Sequence, residues 1–241
     1  MYRQNFSPGI TILLVVFILS FPHMGKSQKL YNKLEEYCIP LPSEFDKIKD
    51  ERKENLNILG EYILSNSRGK PGISLLFICD NNSRRSQFAQ IWAQTAAYFY
   101  KIDNLKAYSG GLSETAINYR IMESLKRAGF TVTAAEAYSQ NPFYLLSVGR
   151  KYPDILVFSK KYDYWNNPST NFASVYCSKS EEFSQLEILG SEQIIELPYE
   201  DVKIFDNSFG GAEKNDQVCR EIAREMFYVM DFVHREMKKR K

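Results

Sequence analysis

The feature that most constrains this chain is a strand, a tight loop and a helix in immediate succession. Ile73-Ser74-Leu75-Leu76-Phe77-Ile78 is a short apolar run, the pattern of a parallel strand buried on both faces. Cys79-Asp80-Asn81-Asn82-Ser83-Arg84-Arg85-Ser86 follows without a spacer. From Gln87 to Tyr100, Phe88, Ile91, Trp92 and Phe99 then fall close to one helical face. A buried strand feeding directly into a helix is half of a crossover unit, so the remaining chain has to supply further parallel strands.

It supplies candidates in alternation. Leu105 to Ser109 reads as a second strand ending in Gly110-Gly111, and Tyr119 to Ala128 as a helix stopped by Gly129. Asp154 to Ser159 is the third strand and the most apolar, and Phe172 to Cys177 is the fourth. Gln193 to Leu197 is either a short fifth strand or the approach to a loop. Asp216 to Glu236 is a long helix with Val218, Ile222, Met226, Val229 and Val233 facing inward. The fold class is therefore α/β with a parallel sheet. Ligands in such sheets bind beyond the carboxyl ends of the strands, where both Cys79 and Cys177 fall.

A loop wrapped onto a helix N-terminus aims several backbone N–H groups, and the positive end of the helix dipole, at one spot. Arg85 adds a planar fork suited to two oxygens of a tetrahedral anion. Such a field suits a nucleophilic sulfur at Cys79. Ser86 is placed to donate its hydroxyl hydrogen to the sulfur. Asn81 and Asn82 suit positions of positive φ. The loop, Asp80, Asn81, Asn82, Ser83, Arg84 and Ser86 around Cys79 and Arg85, reads as an oxyanion site. A buried cysteine beside a helix cap is the plainer alternative.

The first residues stand apart from the fold. A basic start, Met1-Tyr2-Arg3, precedes an apolar run of twelve residues, Ile10 to Phe21, and then Gly25-Lys26-Ser27. Small residues at 25 and 27 place a signal-peptide cleavage before Gln28, and the run is short for a membrane span. The chain is thus expected to be exported, periplasmic or secreted, with no stable membrane span after cleavage and a membrane anchor only if uncleaved. Two of the 31 basic residues, Arg3 and Lys26, lie in that leader, so the remainder balances the 29 acidic ones. A neutral mature chain gives no reason to expect nucleic-acid binding.

Four cysteines, Cys38, Cys79, Cys177 and Cys219, match no zinc spacing, and the two histidines fall in the leader and near the basic end. Neither metal nor cofactor is expected. Residues 28–72 read as a helical extension before the main domain of residues 73–241. Ser43-Glu44-Phe45-Asp46 resembles a helix cap, Lys47 to Asn55 a solvated charged face, and Ser65 to Gly72 a linker.

Over roughly Ile73 to Val233 these residues resemble the low-molecular-weight protein tyrosine phosphatases and the related thioredoxin-coupled arsenate reductases. The resemblance is carried by Phe77-Ile78-Cys79 with Asn82-Ser83-Arg84-Arg85-Ser86-Gln87, by Tyr108-Ser109-Gly110-Gly111, by Asn118-Tyr119-Arg120, and by Leu197-Pro198-Tyr199-Glu200-Asp201. It implies a flavodoxin-like four-stranded parallel sheet with helices on both faces. It further implies Cys79 as nucleophile, Arg85 as oxyanion clamp, Ser86 as thiolate stabiliser, Asn82 as the left-handed turn residue and Asp201 as the acid, with Asp206 its rival. Three positions depart from the family: Asn81 stands for its usual glycine, Val202 for the proline after the acid, and Ser184 for the second cysteine of a C-x6-C relay beginning at Cys177.

Three functions fit these residues. One is cysteine-dependent hydrolysis of phosphotyrosine or another phosphomonoester through a phosphocysteine, on a phosphorylated protein or a small molecule. The second is arsenate reductase-like chemistry, with Cys177 as redox partner and an external thiol reductant. The third is a non-catalytic oxyanion-binding module.

Overall fold

A computed structural model describes residues 29–67, 72–135, 139–206 and 208–240. The expected leader, residues 1–27, lies outside the described residues, as do residues 68–71 of the expected linker. The chain runs through α1 (Asn32–Cys38), a 3-10 segment (Leu41–Lys47), α2 (Asp50–Asn66), β1 (Ile73–Cys79), α3 (Arg85–Tyr100), β2 (Leu105–Gly111) and α4 (Tyr119–Ala128). It continues with β3 (Thr131–Ala134), β4 (Tyr144–Ser147), β5 (Ile155–Val157), β6 (Phe172–Tyr176), α5 (Glu181–Ser184), β7 (Ser191–Glu196), a 3-10 segment (Val202–Phe205) and α6 (Gly211–Lys239).

Four parallel strands form the main sheet in the order β2-β1-β6-β7, the flavodoxin-like arrangement with helices around it. The apolar run at 73–78 sits at the sheet's interior, as its unbroken hydrophobicity requires. One face of β1 presents Leu75, Phe77 and Cys79 to a core shared with Phe88, Ile91 and Trp92 of α3 and Ile222, Met226 and Phe227 of α6. The other presents Leu76 and Ile78 to Phe172, Tyr176, Phe183 of α5 and Ile188. Trp92 is fully buried, stacked 5.3 Å from Tyr37 and edge-on to Phe130 at 5.1 Å; truncating such a residue costs on the order of 3–5 kcal/mol.

Two strand assignments are corrected. Residues 155–157 do not enter the main sheet: β5 pairs antiparallel with β4, and β4 with β3, in a separate three-stranded sheet. Within β5, Ile155 and Val157 are buried while Leu156 is exposed, the one-sided alternation of an antiparallel sheet. The fourth parallel strand is β7. Its exposed alternate residues, Glu192 and Ile194 among them, mark it as an edge and made it look marginal in sequence.

The helical N-terminal region is present. Leu34, Cys38, Leu41, Leu56, Leu59 and Ile63 belong to the same core as β1, and α2 lies against α6 and β7. Residues 43–46 sit inside a 3-10 segment rather than capping a helix, and the long helix starts at Asp50. The charged stretch is not simply solvated. Arg52 forks onto the buried Glu225 of α6, Nε to Oε1 at 2.9 Å and Nη2 to Oε2 at 2.8 Å.

Candidate active site

The loop between β1 and α3 is pinned by its carbonyls. The Cys79, Asp80 and Ser83 carbonyls accept from the backbone N–H groups of Leu112, Ser113 and Asn118, at 3.2, 2.9 and 3.2 Å. The Asn81 and Asn82 carbonyls accept from Ser159 Oγ at 3.0 Å and Gln87 Nε2 at 3.1 Å. A trans peptide directs its N–H opposite to its carbonyl, so the carbonyls held from Asp80 to Ser83 turn the N–H groups of Asn81 to Arg84 toward the inside of the loop, while the Asp80 N–H donates to Ser178 Oγ at 3.3 Å. The first turn of α3 adds N–H groups that no helix carbonyl can reach. Gly111 makes this packing attainable: a Cβ there would stand 2.7 Å from Asn82 N and 2.9 Å from the Asn81 carbonyl carbon.

Asn82 holds the centre. It is fully buried at φ 47°, and Asn81 does not share that conformation, so only one of the two asparagines serves a positive φ. Asn82 Nδ2 donates to Ser86 Oγ at 2.8 Å, while its Oδ1 accepts from Gln87 Nε2 at 2.9 Å and Lys160 N at 3.0 Å. Ser86 Oγ lies 3.0 Å from Cys79 Sγ. Because that oxygen already accepts from Asn82, its own hydrogen is available to the sulfur. Asn81 instead faces Ser113, whose hydroxyl meets its Oδ1 at 2.7 Å.

Cys79, Asn81, Ser83, Arg84, Arg85, Asp201 and Lys203 line a recess of only about 20 Å³. It is small because the Arg85 fork is folded onto carboxylates: Nη2 donates to Asp80 Oδ2 at 2.6 Å and to Asp201 Oδ2 at 3.0 Å. Asp80 Oδ2 also accepts from Ser178 Oγ at 2.5 Å. Asp201 opens the 3-10 segment after it, accepting from Lys203 N at 3.0 Å. The rival Asp206 is held elsewhere, between Arg84, Arg120 and Asn118. The geometry thus brings Cys79, Arg85, Ser86, Asp80 and Asp201 together and gives Asp206 to a flanking ion-pair network. Ser178 was missed in sequence; its place directly after Cys177, at the end of a parallel strand, was the available signal.

Cys177 lies beside the nucleophile. The β1–β6 register ends at Ile78↔Tyr176, and Cys177 N donates to Ile78 O at 2.7 Å. Cys79 and Cys177 are therefore the next pair on adjacent strands, whose backbones run about 4.8 Å apart, within disulfide range. Burial, and after it the nearby Cys79, push the Cys177 thiol well above its ordinary pKa. All four cysteines are buried and free; Cys219 accepts from Trp92 Nε1 at 3.3 Å inside the core. A larger cleft, about 330 Å³ between Tyr162, Trp165, Phe172 and Leu189, lies away from the recess.

No protein-family model and no curated protein matches the chain. Solved structures do. One is an arsenate reductase in the phosphate-binding state, at 14% identity and TM-score 0.42, over 68% of this chain and 98% of that one. Another is a low-molecular-weight phosphotyrosine phosphatase from Vibrio cholerae O395, at 11% and 0.44, over 70% and 99%. A third is a thioredoxin-dependent arsenate reductase from Corynebacterium glutamicum, at 15% and 0.34, over 80% and 84%. The structures that this chain resembles include phosphotyrosine phosphatases, arsenate reductases and an arginine phosphatase from Geobacillus stearothermophilus.

Proposed function

We propose that the protein is a cysteine-dependent phosphomonoester hydrolase acting on phosphotyrosine or a similar aryl phosphate. The observation that carries this reading is the Cys79 sulfur, 3.0 Å from a serine hydroxyl, at the mouth of a loop whose carbonyls from Cys79 to Ser83 are each held by a hydrogen bond to the surrounding structure. The phosphoryl oxygens take the inward N–H groups and the Arg85 fork, which leaves its internal carboxylates. Cys79 thiolate attacks phosphorus; the P–S bond forms and the P–O bond to the leaving group breaks. Asp201 delivers a proton to the departing oxygen, since an alkoxide or phenoxide leaves poorly. The same carboxylate then takes a proton from water, which attacks phosphorus and expels the thiolate. Ser86 keeps the thiolate hydrogen-bonded at both stages. The substrate is a phosphorylated protein or a small phosphomonoester.

Turnover of an aryl phosphate that vanishes in Cys79→Ser supports this reading; turnover surviving that substitution ends it. A second reading rests on Cys177 standing opposite Cys79. After Cys79 attacks arsenate, the Cys177 thiolate would displace arsenite, forming the Cys79–Cys177 disulfide, and an external dithiol would reduce it. Arsenate-dependent oxidation of that dithiol, lost in Cys177→Ser, would select it. Phosphate binding without either turnover would leave an oxyanion-binding module. We further propose export after cleavage behind Ser27, where a catalytic thiol needs an external reductant; cell fractionation tests this.

A further inference from the structure

The N-terminal region makes three contacts along β7 and the segment that follows it. Tyr62 OH donates to Glu192 Oε2 at 2.8 Å, and Asn55 Nδ2 to the Glu196 carbonyl at 3.1 Å, so α2 is fastened along the edge strand β7. One turn before Asn55, Arg52 lies with its guanidinium 4.6 Å over the ring of Tyr199 while its fork is bound to Glu225. Tyr199 is buried, and its backbone N–H donates to the Cys177 carbonyl at 3.1 Å. It stands two residues before Asp201, and Val202 on the other side is buried as well. Asp201 itself is half exposed, with its carboxylate reaching Arg85. The side chain expected to move protons is thus held in place from nearby residues, by Tyr199, whose backbone is tied to Cys177 just beyond β6 and whose ring lies under Arg52 of α2.

We propose that Arg52 is a positioning residue for Asp201: α2, through the Arg52–Glu225 pair, braces the Leu197–Asp201 segment so that the carboxylate meets the leaving group. The inference rests on the reading of Asp201 as the acid. The pair suits the task because a planar fork bound at two oxygens has one orientation, and a guanidinium lying flat on a buried phenol fixes the ring as well. Misplacement of a catalytic group by about 1 Å can cost up to a hundred-fold in rate, so a brace far from the reacting atoms still shows in catalysis.

The test uses two variants, because removing Arg52 alone would strand a buried carboxylate. Arg52→Lys keeps the charge on Glu225 but loses the flat fork, and Arg52→Met with Glu225→Leu replaces the pair by apolar groups. Both are compared with wild type and Asp201→Asn for kcat/KM on p-nitrophenyl phosphate and phenyl phosphate. A missing or misplaced acid hurts the poorer leaving group more, so the ratio of the two rates reports proton delivery. The proposal expects that ratio to rise roughly ten-fold in the Arg52 variants, toward the Asp201→Asn value. Inhibition by orthovanadate, which reads the Cys79 loop, should stay within about two-fold of wild type, because no Arg52 contact touches that loop. Amide hydrogen exchange over Leu197 to Phe205 should quicken in both variants, a readout independent of turnover. Unchanged ratios in the Arg52 variants beside a raised ratio in Asp201→Asn overturn the brace alone. An unchanged ratio in Asp201→Asn overturns the acid assignment and the brace with it. Unchanged exchange overturns the brace whether or not the protein turns over.

Discussion

Asn82→Ala is the substitution whose cost follows most directly from the geometry of the loop. Asn82 is fully buried at φ 47° and its side chain makes three hydrogen bonds. Gln87 Nε2 would keep the Asn82 and Phe158 carbonyls, at 3.1 and 2.9 Å, so its loss is limited to about 1 kcal/mol. Ser86 loses a donor, for about the same. Lys160 N is left as a buried donor without an acceptor, which costs about 1–3 kcal/mol. An alanine held in the left-handed region adds about 1–2 kcal/mol. The expected destabilisation is about 4–7 kcal/mol, a large share of the roughly 5–15 kcal/mol that a domain possesses. Asn82→Gly should be no worse than Asn82→Ala, because the strain it relieves exceeds the roughly 0.5–1 kcal/mol of added chain entropy. Urea denaturation with linear extrapolation measures both. A cost below about 1 kcal/mol for Asn82→Ala, or a glycine variant clearly weaker than alanine, would refute the idea that this residue holds the loop.

Lys160→Met should stabilise the protein at neutral pH. Lys160 is buried over the Phe158 ring, and burial lowers its pKa to about 8 from an ordinary 10.5. Between those values the unfolded chain binds more protons, so this group makes the wild type more stable as pH rises from about 8 to 10.5. The advantage of Lys160→Met should therefore be greatest below pH 8, at most roughly 3 kcal/mol, and shrink above it; an advantage constant from pH 7 to 10 contradicts this. Asp80→Asn removes one of two carboxylates on the Arg85 fork, and phosphate measured by titration calorimetry should bind roughly three- to ten-fold tighter, weaker binding counting against the role given to Asp80. Cys177→Ser should leave aryl phosphate hydrolysis within about two-fold of wild type, since no step of that reaction passes through its sulfur.

Much of this arrangement was legible because its signals are local. The apolar strand, the Cys79-to-Arg85 loop and the helix behind it are one continuous stretch, and Asn118, whose side chain accepts from Arg120 N at 2.9 Å, is a recognisable helix cap. The antiparallel sheet was hidden because β5 has only three residues, while β4 and β3 are four residues each, the first largely half buried and the second largely exposed. Arg52 was misread for a different reason. Charge in a helix normally faces water, and nothing near Arg52 announces Glu225, 173 residues along the chain. Asp201 and Asp206 could not be separated by spacing, because the choice depends on Arg84 and Arg120, which claim Asp206 through space.

The central claim is that Cys79 is a nucleophile toward phosphorus. It is tested most directly by hydrolysis of p-nitrophenyl phosphate by the purified protein under reducing conditions, beside Cys79→Ser, with rapid acid quench and mass spectrometry of the peptide that carries residue 79. The account predicts turnover that needs Cys79 and a phosphoryl group trapped on that peptide in Asp201→Asn, where water attack lacks its base. Turnover retained in Cys79→Ser, or a folded protein with a reduced Cys79 that neither turns over nor traps phosphate, would contradict it.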